Sequence, residues 1–135
     1  MEKTSYSLEA LGNKTPLPKT PEEASLEAIP NHWPEANYEV NLYCEEFTCL
    51  CPVTSQPDFA TIDICYIPDK KLVESKSLKL YLGSYRNTGI FHEYVVNKIL
   101  NDLVTLLEPK RMQVKGNFST RGGIRIVPVA TYERE

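Results

Sequence analysis

The residues Phe47-Thr48-Cys49-Leu50-Cys51-Pro52-Val53-Thr54-Ser55-Gln56-Pro57-Asp58 end one run of alternating apolar residues and precede another. They predict a connection between two strands, held over a sheet. Pro52 and Pro57 stiffen it, because each proline fixes its own φ and biases its predecessor towards extended backbone. Cys51 is thereby held just before one proline and Asp58 just after the other. A thiol and a carboxylate on one braced loop can act as nucleophile and proton donor. An ordinary turn with a buried cysteine would read the same from this stretch alone.

Upstream, Tyr38, Val40, Leu42 and Cys44 alternate with Glu39, Asn41, Tyr43 and Glu45, the period of a half-buried strand. Downstream, Ala60, Ile62, Ile64 and Tyr66 alternate with Thr61, Asp63, Cys65 and Ile67, and Pro68-Asp69 ends the run. Two helices follow. Over Ser75–Tyr85, Leu78, Tyr81, Leu82 and Tyr85 have helical spacing, Lys76 and Lys79 share another face, and Asn87–Gly89 ends the segment. Over Phe91–Leu107, Val96, Ile99, Leu100, Leu103 and Leu107 form one stripe that stops before Pro109. His92 and Glu93 fall in its first turn, where a carboxylate also compensates the helix dipole. Two strands close the chain: Met112, Val114 and Phe118 alternate with polar residues, then Ile124 and Ile126 follow the Arg121-Gly122-Gly123 turn.

The order β-β-α-α-β-β contains no single strand–helix–strand crossover. It predicts an α+β fold, an antiparallel sheet with both helices on one face. Such a sheet has open edges, and joining subunits edge to edge into a ring removes them. Residues 1–36 read as an extended arm on a single domain spanning 37–135. Five of the ten prolines lie in the arm, and Leu26, Ile29 and Trp33 are the candidates to pin it down.

The charge balance, formally −3, offers no broad electrostatic reason to bind nucleic acid or an anionic membrane. No apolar run approaches the ~18 residues of a membrane span, and the first residues lack a signal-peptide core, so the expected compartment is the cytoplasm. Cys44, Cys49, Cys51 and Cys65 are therefore expected to be reduced thiols. No C-x-x-C pair exists, which argues against a zinc site, and Cys44 and Cys65 fit as small packed residues within strands.

Five motifs carry a resemblance. They are Glu46-Phe47-Thr48-Cys49-Leu50-Cys51-Pro52, Gln56-Pro57-Asp58-Phe59-Ala60, Glu74-Ser75-Lys76-Ser77-Leu78-Lys79, Phe91-His92-Glu93 and Thr120-Arg121-Gly122-Gly123. In this order and spacing they closely resemble the QueF nitrile reductases, the NADPH-dependent 7-cyano-7-deazaguanine reductases of queuosine biosynthesis, in their single-module form. The likeness covers about residues 37–130, and Leu11-Gly12-Asn13 hints that the arm belongs too. It implies the tunnelling fold, in which subunit sheets close into a barrel with active sites at subunit boundaries. It also implies a four-electron reduction of a nitrile to a primary amine, with NADPH as the hydride-donating co-substrate, two molecules per turnover, and no metal.

Residue by residue, Cys51 matches the family's nucleophile, whose thiolate adds to the nitrile carbon to give a thioimide. A free thiol titrates near ~8.5, so the site must favour the thiolate or supply a base. Asp58 matches the acid/base that relays the thiol proton, and His92 could supply or position further protons. Glu93 offers two acceptors to the adjacent N–H and NH₂ of a guanine-like edge. Val73, Glu74 and Ser75 match the family's other substrate contact, although Ser75 could simply cap a helix. No G-x-G-x-x-G follows a strand, so Lys76, Lys79 and Arg121 are the candidates for the NADPH phosphates, with Arg86 and Arg125 in reserve. Cys49 departs from the family pattern, which carries a serine or another small residue there.

Two other readings stand beside this one. A GTP cyclohydrolase-like relative would share the sheet and Glu93 but need zinc, and the chain has only His32 and His92 as imidazole ligands. A non-catalytic purine-binding scaffold would require an unreactive Cys51.

Overall fold

The computed structural model describes residues 16–135, so Leu11-Gly12-Asn13 lies outside the described residues. The elements are β1 (Ala28–Pro30), β2 (Val40–Leu50), β3 (Pro57–Ile67), β4 (Lys71–Val73), α1 (Ser75–Gly83), α2 (His92–Leu107), β5 (Arg111–Phe118) and β6 (Val129–Glu133). The main sheet is antiparallel in the order β2-β3-β5-β6, and β1 pairs antiparallel with β4 in a small second sheet.

Period-two alternation places one row of each strand against the helices. Ala60, Ile62, Ile64 and Tyr66 of β3 stand opposite Phe118, Gly116, Val114 and Met112 of β5. Apart from Gly116, which belongs to no apolar cluster, these join one buried core with Leu78, Tyr81 and Leu82 of α1 and Val96, Ile99, Leu100 and Leu103 of α2. Each fully buried Ile or Leu contributes roughly 1.5–3 kcal/mol. A one-residue slip would turn the whole row to solvent, so the register is tightly specified. Gly116 lies where an added Cβ would meet Val96 and Phe118 at 2.8 Å, so a side chain there would push α2 off the sheet.

A β-bulge in β2 decides which way the segment leading to Cys51 faces. Cys44 pairs with Ile62, but the next pair is Phe47 with Ala60, so β2 spends one extra residue between them. Before the bulge the even-numbered residues share the helix side. After it Phe47 and Cys49 do, both fully buried.

Several expectations are corrected. The connection between the first two strands is only residues 51–56, because Phe47–Leu50 still belong to β2 and Pro57-Asp58 already to β3. The first helix ends at Gly83, and residues 84–87 continue as a 3-10 turn in which the Ser84 hydroxyl donates to the Tyr81 carbonyl. The last strand is Val129–Glu133, not the Ile124–Val127 run. Gly122 and Gly123 take positive φ (57° and 79°) in a turn closed by Arg121 and Ile124, and Ile124 is 65% exposed. The ladder with β5 starts at Val129, although the Phe118 and Gly116 amides already donate to the Ile126 and Pro128 carbonyls at 3.4 and 3.0 Å, and Pro128 has no amide hydrogen to return. Within the arm, Ala28–Pro30 forms β1, and Leu26 packs on the core while Trp33 is exposed. The buried Asn31 ties this segment to the body, donating to the Asp69 carbonyl and accepting from the Tyr38 hydroxyl, each at 2.7 Å.

Candidate active site

At the end of the helix-covered layer, the tip of β2, the start of β3, the first turn of α2 and the segment after β5 enclose a cavity of about 420 Å³. Cys51, Asp58, His92, Glu93 and Arg121 line it, so five of the sequence-predicted site residues meet in one place.

Asp58 is the last inward-facing member of the β3 row and stands opposite Cys49. Its side chain is only 10% exposed, and Oδ2 faces Nε2 of His92 at 3.1 Å. The imidazole and the carboxylate thus face each other within ion-pair distance. Beneath, the ring stacks flat on Phe118, with centroids 3.9 Å apart and planes 7° from parallel. His92 Nδ1 is buried with no hydrogen-bond partner. Arg121 Nη2 approaches Asp58 Oδ1 at 3.7 Å, and its guanidinium also donates to the Pro57 carbonyl and to Gln56 Oε1.

Cys51 sits in a tight turn. Its amide donates to the Gln56 carbonyl at 2.8 Å, and its carbonyl accepts from the Ser55 amide at 2.9 Å, with Ser55 left-handed at φ 60°. The turn curls the following donors back on the sulfur. The Thr54 hydroxyl, then the Thr54 and Val53 amides, hold the Cys51 thiol below its ordinary range, against the opposing effects of burial and the Asp58 charge. The neighbouring Cys49 is the opposite case. Burial first, then the charges of Asp58 and Cys51, push its thiol up to about 12. Of the two, Cys51 is the more readily ionised. Thr54 was not anticipated from the sequence, and the only signal for it was a hydroxyl three positions after the cysteine in a proline-started turn.

Glu93 is exposed on the cavity rim, its carbonyl accepting from the Asn97 side chain at 2.9 Å. Val73, Glu74 and Ser75 lie elsewhere. Glu74, not Ser75, caps α1: its buried carboxylate accepts from the Lys76 amide at 2.9 Å and the Ser77 amide at 2.7 Å. Ser75 and Lys79 line a separate, mostly apolar groove of about 220 Å³ along β2, beside Tyr43 and Leu78. The three candidate cations are therefore not gathered within one chain: Arg121 borders the Cys51 cavity, while Lys76 and Lys79 sit on α1. Among the described residues no three His, Cys, Asp or Glu side chains converge to hold a metal, and the four cysteines are unpaired.

The model of the family described as QueF-like protein matches residues 57–135, from the start of β3 to the C-terminus. A relative from Helicobacter pylori (strain P12) is 56% identical over 126 residues, covering 93% of this chain and 85% of its own. One from Thermomicrobium roseum is 57% identical over 118 residues, covering 87% of this chain and 91% of its own. One from Bacteroides fragilis (strain YCH46) is 52% identical over 134 residues, covering 99% and 89%. All three are named NADPH-dependent 7-cyano-7-deazaguanine reductase. Among solved structures, the apo archaeosine synthase QueF-Like superposes with a TM-score of 0.65 at 24% identity, over 69% of this chain and 91% of that one, which shows a shared tunnelling fold. With such identity maintained along nearly its whole length, the chain belongs to the QueF-like family, among the NADPH-dependent 7-cyano-7-deazaguanine reductases.

Proposed function

We propose that the protein reduces the nitrile of 7-cyano-7-deazaguanine to the primary amine of 7-aminomethyl-7-deazaguanine, through a thioimide on Cys51, in queuosine biosynthesis in the cytoplasm. The observation that carries the reading is a thiol held low by its own turn, facing a cavity that also holds a buried carboxylate–imidazole pair. The names of the close relatives support the same substrate and co-substrate.

The Cys51 thiolate attacks the nitrile carbon, forming the C–S bond, while one C≡N π pair moves to nitrogen and takes a proton. Asp58 relays that proton, and His92, 3.1 Å from it, holds the carboxylate in place and can replenish it. The addition turns an inert triple bond into a C=N able to accept hydride, one hard step divided into two. When bound, the nicotinamide supplies hydride, and two NADPH with two protons balance the conversion of nitrile to amine. Glu93 on the rim accepts from the N–H and NH₂ of the deazaguanine edge and so orients the cyano group towards the sulfur. With the Glu74 carboxylate occupied by the helix cap, the Val73–Ser75 segment is left to contact substrate through backbone groups and the Ser75 hydroxyl.

Arg121, 43% exposed at the cavity mouth, suits a phosphate-bearing co-substrate, since its planar fork can turn from the Pro57 carbonyl to an anion. Lys76 and Lys79 would join it from a second copy. β2 and β6 are the outer strands of the sheet, and pairing them between copies would close it into a barrel with sites at the boundaries. In this arrangement residues 37–135 are the catalytic unit and 1–36 its arm. No described helix is long and apolar enough to cross a membrane.

The test mixes purified protein, 7-cyano-7-deazaguanine and NADPH and follows the nicotinamide absorbance. Two NADPH consumed per amine, no turnover by Cys51→Ala, and a mass adduct on Cys51 are expected. Turnover by the alanine variant would overturn the covalent route.

A further inference from the structure

The Cys51 cavity depends on a contact that lies outside the catalytic motifs. β2 is an edge strand, and its last residue, Leu50, stands opposite Pro57 of β3, which has no amide hydrogen to give. Leu50 instead uses its outward edge. Its amide donates to the Thr88 carbonyl at 2.9 Å, and its carbonyl accepts from the Ile90 amide at 3.0 Å, a parallel bridge centred on Gly89. One residue beyond Leu50 is Cys51, and two beyond Ile90 is His92. The bridge thus ties the loop carrying the nucleophile directly to the segment leading into the helix that carries the imidazole.

Gly89 does not take a positive φ, so backbone freedom is not its reason for being glycine. Space is. A Cβ there would lie 3.3 Å from the Cα and 3.7 Å from the Cβ of Pro52, the residue that follows the nucleophile. That neighbour is backbone in a rigid ring, which cannot swing aside as a side-chain tip would.

We propose that Gly89 is a positioning residue: its bare backbone lets the 88–90 segment seat on Leu50 and press against Pro52, which sets the distance from the Cys51 sulfur to the His92–Asp58 pair. This rests on the nitrile reductase reading of the same cavity. A Cβ at position 89 moves the Pro52 backbone by a few tenths of an ångström. Reacting groups displaced by ~1 Å lose about a hundredfold, so a displacement of this size is worth roughly three- to tenfold in kcat.

The experiment compares Gly89→Ala with the native protein by NADPH consumption, by the rate of Cys51 adduct formation with the nitrile, and by alkylation of Cys51 with iodoacetamide. The expected result is kcat and adduct rate down together by about three- to tenfold, with KM for the nitrile changed less than about twofold. A glycine that merely stabilised the fold would lower the melting temperature and leave these rates intact. Native kcat and adduct rate in a folded Gly89→Ala would overturn the proposal. Should that variant fail to fold, amide exchange in the native protein decides: Leu50 and Ile90 are expected to exchange at least tenfold more slowly than the amides of Gly122 and Gly123, and equal exchange would overturn it. No nitrile turnover by the native protein would refute the functional reading instead, and alkylation would then still test the positioning.

Discussion

Replacing His92 by phenylalanine removes one interaction and keeps another. The phenyl ring can retain the stack on Phe118, while the Asp58 carboxylate, 10% exposed, loses the N–H that faces it at 3.1 Å. A hydrogen bond to a buried charge is worth about 1.5–3 kcal/mol, and removing one partner also leaves the other desolvated. Arg121, half in solvent at 3.7 Å, still offsets part of the loss, so the lower half of that range applies, about 2 kcal/mol. For a chain of this size that is roughly 6–8 °C in melting temperature, compared at one protein concentration. The assay is thermal or urea unfolding of His92→Phe, Asp58→Asn and the double variant. The double variant should lose less than the sum of the singles by at least ~1 kcal/mol. Turnover should fall about a hundredfold or more if the imidazole replenishes the proton. A His92→Phe protein as stable as the native one, with strictly additive singles, would refute the pairing and the proton route built on it.

Thr54→Val removes the largest influence holding the Cys51 thiol low; with its pKa raised, the alkylation profile should move to higher pH and the rate at neutral pH should drop, read by iodoacetamide labelling. Cys49→Ser should keep full turnover, and at pH 8 mass spectrometry should find label on Cys51 and not on Cys49, whose thiol stays protonated far above that pH. Tyr81→Phe deletes a hydroxyl 2.7 Å from the Tyr85 hydroxyl and 2.5 Å from Asp102, and unfolding should show a loss of about 1–2 kcal/mol with turnover unchanged. Deleting Glu46 removes the bulge, and because Phe47 and Cys49 are fully buried while Val40, Leu42 and Cys44 are only half so, the upstream run should turn outward; unfolding should show a cost of about 2–4 kcal/mol with Cys51 still alkylated at its native rate.

The strands and helices that build the core were legible because their periodicity is local. Ala60–Tyr66 reads as a strand wherever it is placed, and so does the Val96–Leu107 stripe as a helix. The misread pieces are those whose conformation is fixed by distant partners. Ile124 and Ile126 alternate like a strand, yet the glycine turn before them carries the chain over the cavity, where Ile126 lines it. The alternative reading of Ser75 as a helix cap fails because the longer Glu74 side chain bends back to the Lys76 and Ser77 amides from one position earlier. Among site residues, Cys51, Asp58, His92, Glu93 and Arg121 were all named from their motifs, but not the His92–Asp58 contact, which joins residues 34 positions apart and leaves no local trace. Nor did alternation forecast the orientation of Cys51. Extending Val40, Leu42 and Cys44 by twos puts position 51 on the face away from the helices, and only the extra residue at Glu45-Glu46 restores it.

That bulge bears on why the site lies at the end of the layer rather than within it. A thiolate and a carboxylate need partners for their charge, and the interior of this sheet offers only apolar side chains from Ala60 to Tyr66. At the layer's end the same inward direction meets three polar suppliers at once: the amides of the 51–56 turn, the first turn of α2 and the guanidinium of Arg121. Moving the pair two residues inward, to the positions of Cys49 and Ala60, would bury both charges in the apolar core. The strand therefore carries core residues up to Cys49, whose thiol burial pushes up, and leaves the Cys51 thiol just beyond its end, where water and the turn can share a charge. The boundary between packing and chemistry in this protein falls between two cysteines two residues apart.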